Sequence, residues 1–173
     1  MKKRLIIVGK GGSGKDHLRK MLVSRGFRYC VSHTTRPIRE GEENGRDYWF
    51  IKSSDLPSMA DDFYEAVYFN HWFYGTSKEE FNRSTLFIMT PGGVKKLTQQ
   101  DREESVIVYL NIDEETRRKR LEERRDADDV KRRLDADFRD FLDFTDFDHE
   151  IIDPNFTDIG EIGNVYYYTK NHD

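Results

Sequence analysis

At 173 residues, 36% hydrophobic and 36% charged, the chain is long enough for one domain with a real core and a small insertion; its 13% aromatic content excludes a disordered chain. A net charge of −4 excludes nucleic-acid binding driven by overall charge, and no apolar run approaches a membrane span. The lone cysteine, Cys30, excludes an intrachain disulfide and suits a reducing cytoplasm, and Leu5 to Val8 is too short an apolar run for a signal-peptide core, so a soluble cytoplasmic protein is expected.

Residues 5–8 end at Gly9 and read as a buried strand. Leu18, Met21, Leu22 and Val23 space residues 16–24 as a helix, which Gly26 stops. Residues 27–31 read as a second strand, with Cys30 a buried structural thiol within it. Residues 36–45 carry Pro37, Gly41, Gly45 and many charges, and read as an exposed loop. Residues 47–51 are strand-like, Ser53 or Ser54 caps a short helix over 55–63, and the aromatic-rich 65–74 forms one or two strands. Residues 85–89 are a buried strand, and Pro91 opens a helix through Leu97. Residues 106–112 are another strong strand, 116–142 a highly charged helical stretch interrupted near 126–129, and 150–152 a brief last strand. The tail, 157–171, leans toward helix. Apolar strands alternating with helices indicate an α/β fold with a parallel sheet covered on both faces. Residues 36–81 break that rhythm as an insertion with short antiparallel strands of its own.

The stretch VGKGGSGKD, residues 8–16, follows a strand and precedes a helix. Gly9, Gly11, Gly12 and Gly14 let the backbone around Ser13 curl so that its N–H groups face one centre, and the helix that opens there adds its positive end. Lys15 reaches the β- and γ-phosphates of a bound nucleotide. Where the usual loop ends in a hydroxyl residue that touches Mg²⁺, this one has Asp16. A carboxylate is a good Mg²⁺ ligand, and it also adds negative charge beside a triphosphate. The reading is a phosphate loop with altered metal handling; a glycine-rich turn with a chance lysine is the alternative.

The stretch SHTTRPIREGEENGRDYWF, residues 32–50, with FYGTSKEEF, residues 73–81, resembles the guanylate kinase family. Thr34, Thr35, Arg36, Arg39, Gly41, Glu42, Gly45, Asp47, Tyr48 and Phe50, then Tyr74, Gly75 and Thr76, stand at that family's spacing. The resemblance covers residues 4 to about 153. It implies a P-loop kinase core, residues 1–31 and 82–173, with a GMP-binding insertion at 32–81 and a helical lid at about 120–134. A monophosphate dianion needs forked guanidiniums and hydroxyl donors, which Arg36, Arg39, Tyr48 and Tyr74 can supply. The resemblance gives those four the GMP phosphate, Glu65 the guanine N1–H and exocyclic amine, and Ser32 and Thr76 further base contacts. It gives Arg124 and Arg133 to the lid as charge-neutralising arginines, with Arg120 close behind.

The chain departs from the family at residues 86–94, LFIMTPGGV, where Ile88 and Thr90 align with two aspartates that help hold guanine and metal. Asp16 partly restores acidic charge on the metal side. His33 stands where the family has a small residue, as a base contact or as packing beside the phosphate loop; the remaining histidines show no zinc-ligand spacing. The expected function is transfer of the ATP γ-phosphoryl group to GMP or dGMP, with Mg²⁺, by a monomer or homodimer that needs neither nucleic acid nor membrane. A GKD loop also resembles the ribose bisphosphate kinases of phosphonate metabolism and viral deoxynucleotide kinases, so another acceptor stays open. So does a non-catalytic binding module of the guanylate kinase type, although such modules generally lack an intact G-x-x-x-x-G-K.

Overall fold

The computed structural model describes residues 3–69, 71–123 and 130–157. In chain order its elements are β1 (Arg4–Gly9), α1 (Lys15–Ser24), β2 (His33–Thr34), β3 (Trp49–Phe50), α2 (Leu56–Met59), β4 (Phe63–Phe69), β5 (Trp72–Ser77), α3 (Lys78–Arg83), β6 (Leu86–Ile88), α4 (Pro91–Val94), α5 (Gln99–Glu103), β7 (Ser105–Leu110), α6 (Glu114–Glu122), α7 (Val130–Phe141) and β8 (His149–Ile151).

The larger sheet is wholly parallel, in the order β6-β1-β7-β8. Strands β1 and β7 are buried at every position, as continuous apolar runs in a doubly covered parallel sheet should be. Alternation along β1 sends Leu5 and Ile7 into one core, with Leu18 and Leu22 of α1, Val108 and Phe156. Ile6 and Val8 enter the other, with Cys30, Phe81, Phe87 and Ile107. The smaller sheet, β3-β2-β5-β4, lies within the insertion; β4 and β5 form its antiparallel hairpin and β2 runs parallel to β3.

Several expectations shift in extent. The strand read at 27–31 reduces to a parallel bridge between Tyr29 and Leu86, because the chain turns off the sheet edge into the insertion after two backbone bonds to β6. Short 3-10 turns at Ser53–Asp55 and Ala60–Asp62 flank the single turn of α2, and Ser54 Oγ bonds to Asp55 instead of capping a helix. The helix after Pro91 lasts one regular turn, as Gly92 and Gly93 are poor helix formers. Thr98 then caps α5, a helix the periodicity did not reveal. The long charged stretch forms α6 and α7; its expected interruption at 126–129, and nearly all of the tail expected at 157–171, lie outside the described residues.

Candidate active site

Strand β1 delivers the chain to Gly9, and α1 opens at Lys15, with the phosphate loop between them. Gly14 caps α1 in the left-handed region at φ 94°, and a side chain there would stand 2.7 Å from the Phe156 ring. Gly12 also has positive φ, and its Cβ would lie 2.6 Å from the Arg117 carbonyl. Both positions therefore require glycine. Lys15 Nζ curls over the loop, donating to the Gly9 carbonyl at 2.6 Å and the Lys10 carbonyl at 3.0 Å. The Ser13 side chain is fully buried, with no hydrogen-bond partner for its hydroxyl among the described residues.

Asp16 lies in the first turn of α1, half-exposed at the cleft, with both oxygens engaged. Oδ1 accepts from Arg19 Nε at 2.9 Å and Nη2 at 2.6 Å, and Oδ2 pairs with Lys20 at 3.0 Å. Burial opposes its ionisation, but the bonds from Lys20 and Arg19 prevail and hold the carboxyl below its ordinary range. One carboxylate completed by substrate phosphates is the form Mg²⁺ favours, and here a cation would have to displace Arg19 or Lys20 from Asp16 to use it. Among the described residues no group of three or more His, Cys, Asp or Glu forms an all-protein cage.

In the insertion, Arg36 is buried although its loop was read as exposed. Its guanidinium forks onto Glu42, with Nη1 3.0 Å from Oε2 and Nη2 2.7 Å from Oε1, and lies 5.4 Å from the centre of the Tyr48 ring. Burial disfavours the Arg36 charge, and Glu42 together with Tyr74 and Tyr48 more than offsets it. The Arg39 N–H donates to the same carboxylate at 2.8 Å. Tyr48 and Tyr74 meet edge to face at 5.9 Å, and burial pushes the Tyr48 hydroxyl up to about 12, so it stays a neutral donor.

Glu65, on β4, is buried. Its Oε1 accepts from Thr76 Oγ1 at 2.8 Å, while Oε2 is buried without a hydrogen-bond partner among the described residues. Burial raises its pKa against the opposing effects of Thr76 and Lys96. Thr76 is itself buried, with Ser32 Oγ 3.4 Å from its hydroxyl. Ile88 and Thr90 line the cleft, and the Thr90 hydroxyl caps α4 by accepting from the Gly93 N–H. His33 packs inside the insertion against Phe63 and Trp49, not beside the phosphate loop.

Of the lid residues, Arg120 donates to the Gly12 carbonyl at 3.3 Å and the Pro154 carbonyl at 2.9 Å, and Arg133 lines the cleft. Arg124 lies outside the described residues. One cleft of ≈ 1270 Å³ is walled at one end by Gly9, Gly11, Gly12, Gly14, Lys15 and Asp16. The same cleft is walled at the other by Ser32, Arg36, Arg39, Tyr48, Glu65 and Tyr74. Sequence reasoning missed Arg19, whose Nη2 also reaches Asp47 at 3.1 Å and so joins α1 to the insertion. Its helical slot carried no signal beyond an i,i+3 spacing from Asp16.

A sequence model described as guanylate kinase matches residues 1–159. The chain belongs to the guanylate kinase family. A guanylate kinase of Buchnera aphidicola subsp. Baizongia pistaciae is 30% identical across 96% of this chain and 89% of its own. That of Caulobacter vibrioides is 30% identical across 94% and 83%. The crystal structure of guanylate kinase from Anaplasma phagocytophilum superposes with a TM-score of 0.71 over 99% of this chain and 87% of that one, at 19% identity, a likeness of fold.

Proposed function

We infer that the protein transfers the γ-phosphoryl group of ATP to GMP. Membership of the family supports the reaction, and one observation carries the site. A single cleft joins a phosphate loop to a buried carboxylate whose unpartnered oxygen suits the donor edge of guanine. The loop backbone and Lys15 hold the donor phosphates. Arg36 and Arg39, with the Tyr48 and Tyr74 hydroxyls, hold the acceptor phosphate, which competes with Glu42 for the Arg36 fork. Glu65 takes the guanine N1–H and exocyclic amine, steadied by Thr76, with Ser32 beside it. Arg133, together with Arg124, neutralises charge on the moving group.

Mg²⁺ bound to the phosphates would supply further charge neutralisation, with Asp16 as its protein ligand. The acceptor is already an anionic oxygen, so the residues need only position, neutralise and exclude water. The insertion at 32–81 and the lid at about 120–134 close on the core, residues 1–31 and 82–173, to bring the phosphates in line. Both ends of the cleft come from one copy of the chain, so a monomer suffices. A cytoplasmic location is supported by membership of the family; among the described residues no helix is long and apolar enough to cross a membrane.

The test is coupled ADP release against a panel of acceptors: GMP, dGMP, IMP, AMP, UMP and ribose bisphosphate. Turnover restricted to the guanine nucleotides supports the assignment, and turnover on ribose bisphosphate alone overturns it. The relative rates on GMP and dGMP measure whether the sugar is read.

A further inference from the structure

The phosphate loop is gripped from the lid side by a buried carboxylate that the reaction itself does not require. The Gly11 N–H donates to Asp137 Oδ2 at 2.8 Å. Arg117 Nη1 stands 3.6 Å from that same oxygen and donates to the Gly11 carbonyl at 3.3 Å. Gly11, Asp137 and Arg117 therefore close a ring that engages both backbone groups of one loop residue. Asp137 and Arg117 are only 6% and 4% exposed, so the pair is shielded from water and its geometry is fixed. Arg117 is tied further by donating from Nε to the Ile112 carbonyl at 3.0 Å. A Cβ on Gly11 would press to 3.1 Å from Asp137 Oδ2, so the contact also favours glycine there.

Asp137 and Arg133 lie four residues apart on α7, on one face of the helix, and both line the cleft. We propose that Asp137 is a positioning residue for phosphoryl transfer: by pinning α7 to Gly11 of the phosphate loop, it sets Arg133 at the height of the donor phosphates. In that role the carboxylate acts through the Gly11 N–H and not on either substrate. The proposal rests on the role given above to Arg133. It adds that the role depends on an acceptor oxygen one turn further along the helix.

The test uses the full chain with Arg133→Ala, Asp137→Ala, Asp137→Asn and the double variant Arg133→Ala/Asp137→Ala, assayed with ATP and GMP. Asp137→Ala is expected to lower kcat about tenfold with the KM for GMP unchanged, a loss typical of a misplaced catalytic group. Asp137→Asn keeps an acceptor for the Gly11 N–H and should restore activity to within about threefold of wild type. The double variant should be no slower than Arg133→Ala alone, as two changes on one chain of action do not add. Amide hydrogen exchange over Val130–Phe141 should quicken in Asp137→Ala and much less in Asp137→Asn. Multiplying losses, an asparagine variant as slow as alanine, or unchanged exchange would each overturn the proposal. A silent Arg133→Ala would overturn it together with the role of Arg133, while wild-type turnover of GMP would still stand.

Discussion

Replacing Glu65 with glutamine tests the base-reading end of the cleft and the cost of keeping it. The buried Oε2 has no hydrogen-bond partner among the described residues, while Oε1 is held by Thr76. Glutamine keeps one acceptor and puts an amide donor where the second carboxylate oxygen was, opposite the donor edge of guanine in the proposed complex. The loss is one charge-assisted bond plus an opposed donor, about 3 kcal/mol, or roughly a hundredfold in kcat/KM for GMP. IMP lacks the exocyclic amine and should lose only about tenfold. The KM for ATP should not move.

Stability should change in the opposite sense, because a buried charge only partly compensated by Thr76 and Lys96 is removed, for a gain of about 1 kcal/mol near neutral pH. Burial raises the Glu65 pKa, so the folded chain keeps this proton to higher pH than the unfolded chain does. The stability linked to that proton is complete below the unfolded value and drains away as pH rises through the folded one. The glutamine variant has no such titration, so its advantage should be absent at about pH 4 and present at about pH 8. Coupled ADP release with GMP and IMP, and urea unfolding at the two pH values, give the readings. Equal losses on both nucleotides, or a variant less stable than wild type at both pH values, would refute the reasoning.

Asp16→Ser should lower activity and shift its Mg²⁺ dependence, read from rates across a magnesium titration; an unchanged dependence would count against Asp16 as a metal ligand. Arg19→Met keeps the bulk against Tyr29 and removes the cation shared by Asp16 and Asp47, and should cost about 1–3 kcal/mol in chemical denaturation. A cost near zero would show that Lys20 and Arg46 satisfy the two carboxylates unaided. Burial pushes the Cys30 thiol up to about 12, so a thiol reagent at neutral pH should label the chain only on unfolding; labelling at the rate of free cysteine would contradict the packing.

The parts of this fold legible in the sequence were those with a single physical explanation. An unbroken apolar run ending in glycines, as at β1 and the phosphate loop, admits few structures. The spacing of Arg36, Arg39, Tyr48, Glu65 and Tyr74 placed five side chains on one cleft wall. Charged residues that could equally be solvated were not legible. Arg19, Arg117 and Asp137 have helical neighbours of every charge, and only tertiary packing shows that each is buried. Helix α5 escaped because five polar residues carry no periodicity, and its signal is one threonine cap. Arg36 was misread as exposed because its partner Glu42 lies in the same charged loop, where the sequence alone does not distinguish an internal pair from two solvated ions.

Strand β1 stands in the middle of the larger sheet, between partners drawn from residues 86–88 and 105–110. A chain emerging from the ribosome therefore carries Arg4–Gly9 with both edges open until residues 86–88 are made, and with one edge open until residues 105–110 follow. Phe156, which closes against Gly14, arrives later still. Nascent fragments ending before that residue lack a side chain of the core around Leu18 and Leu22, and such long-range closure makes refolding slow compared with helical proteins of this size.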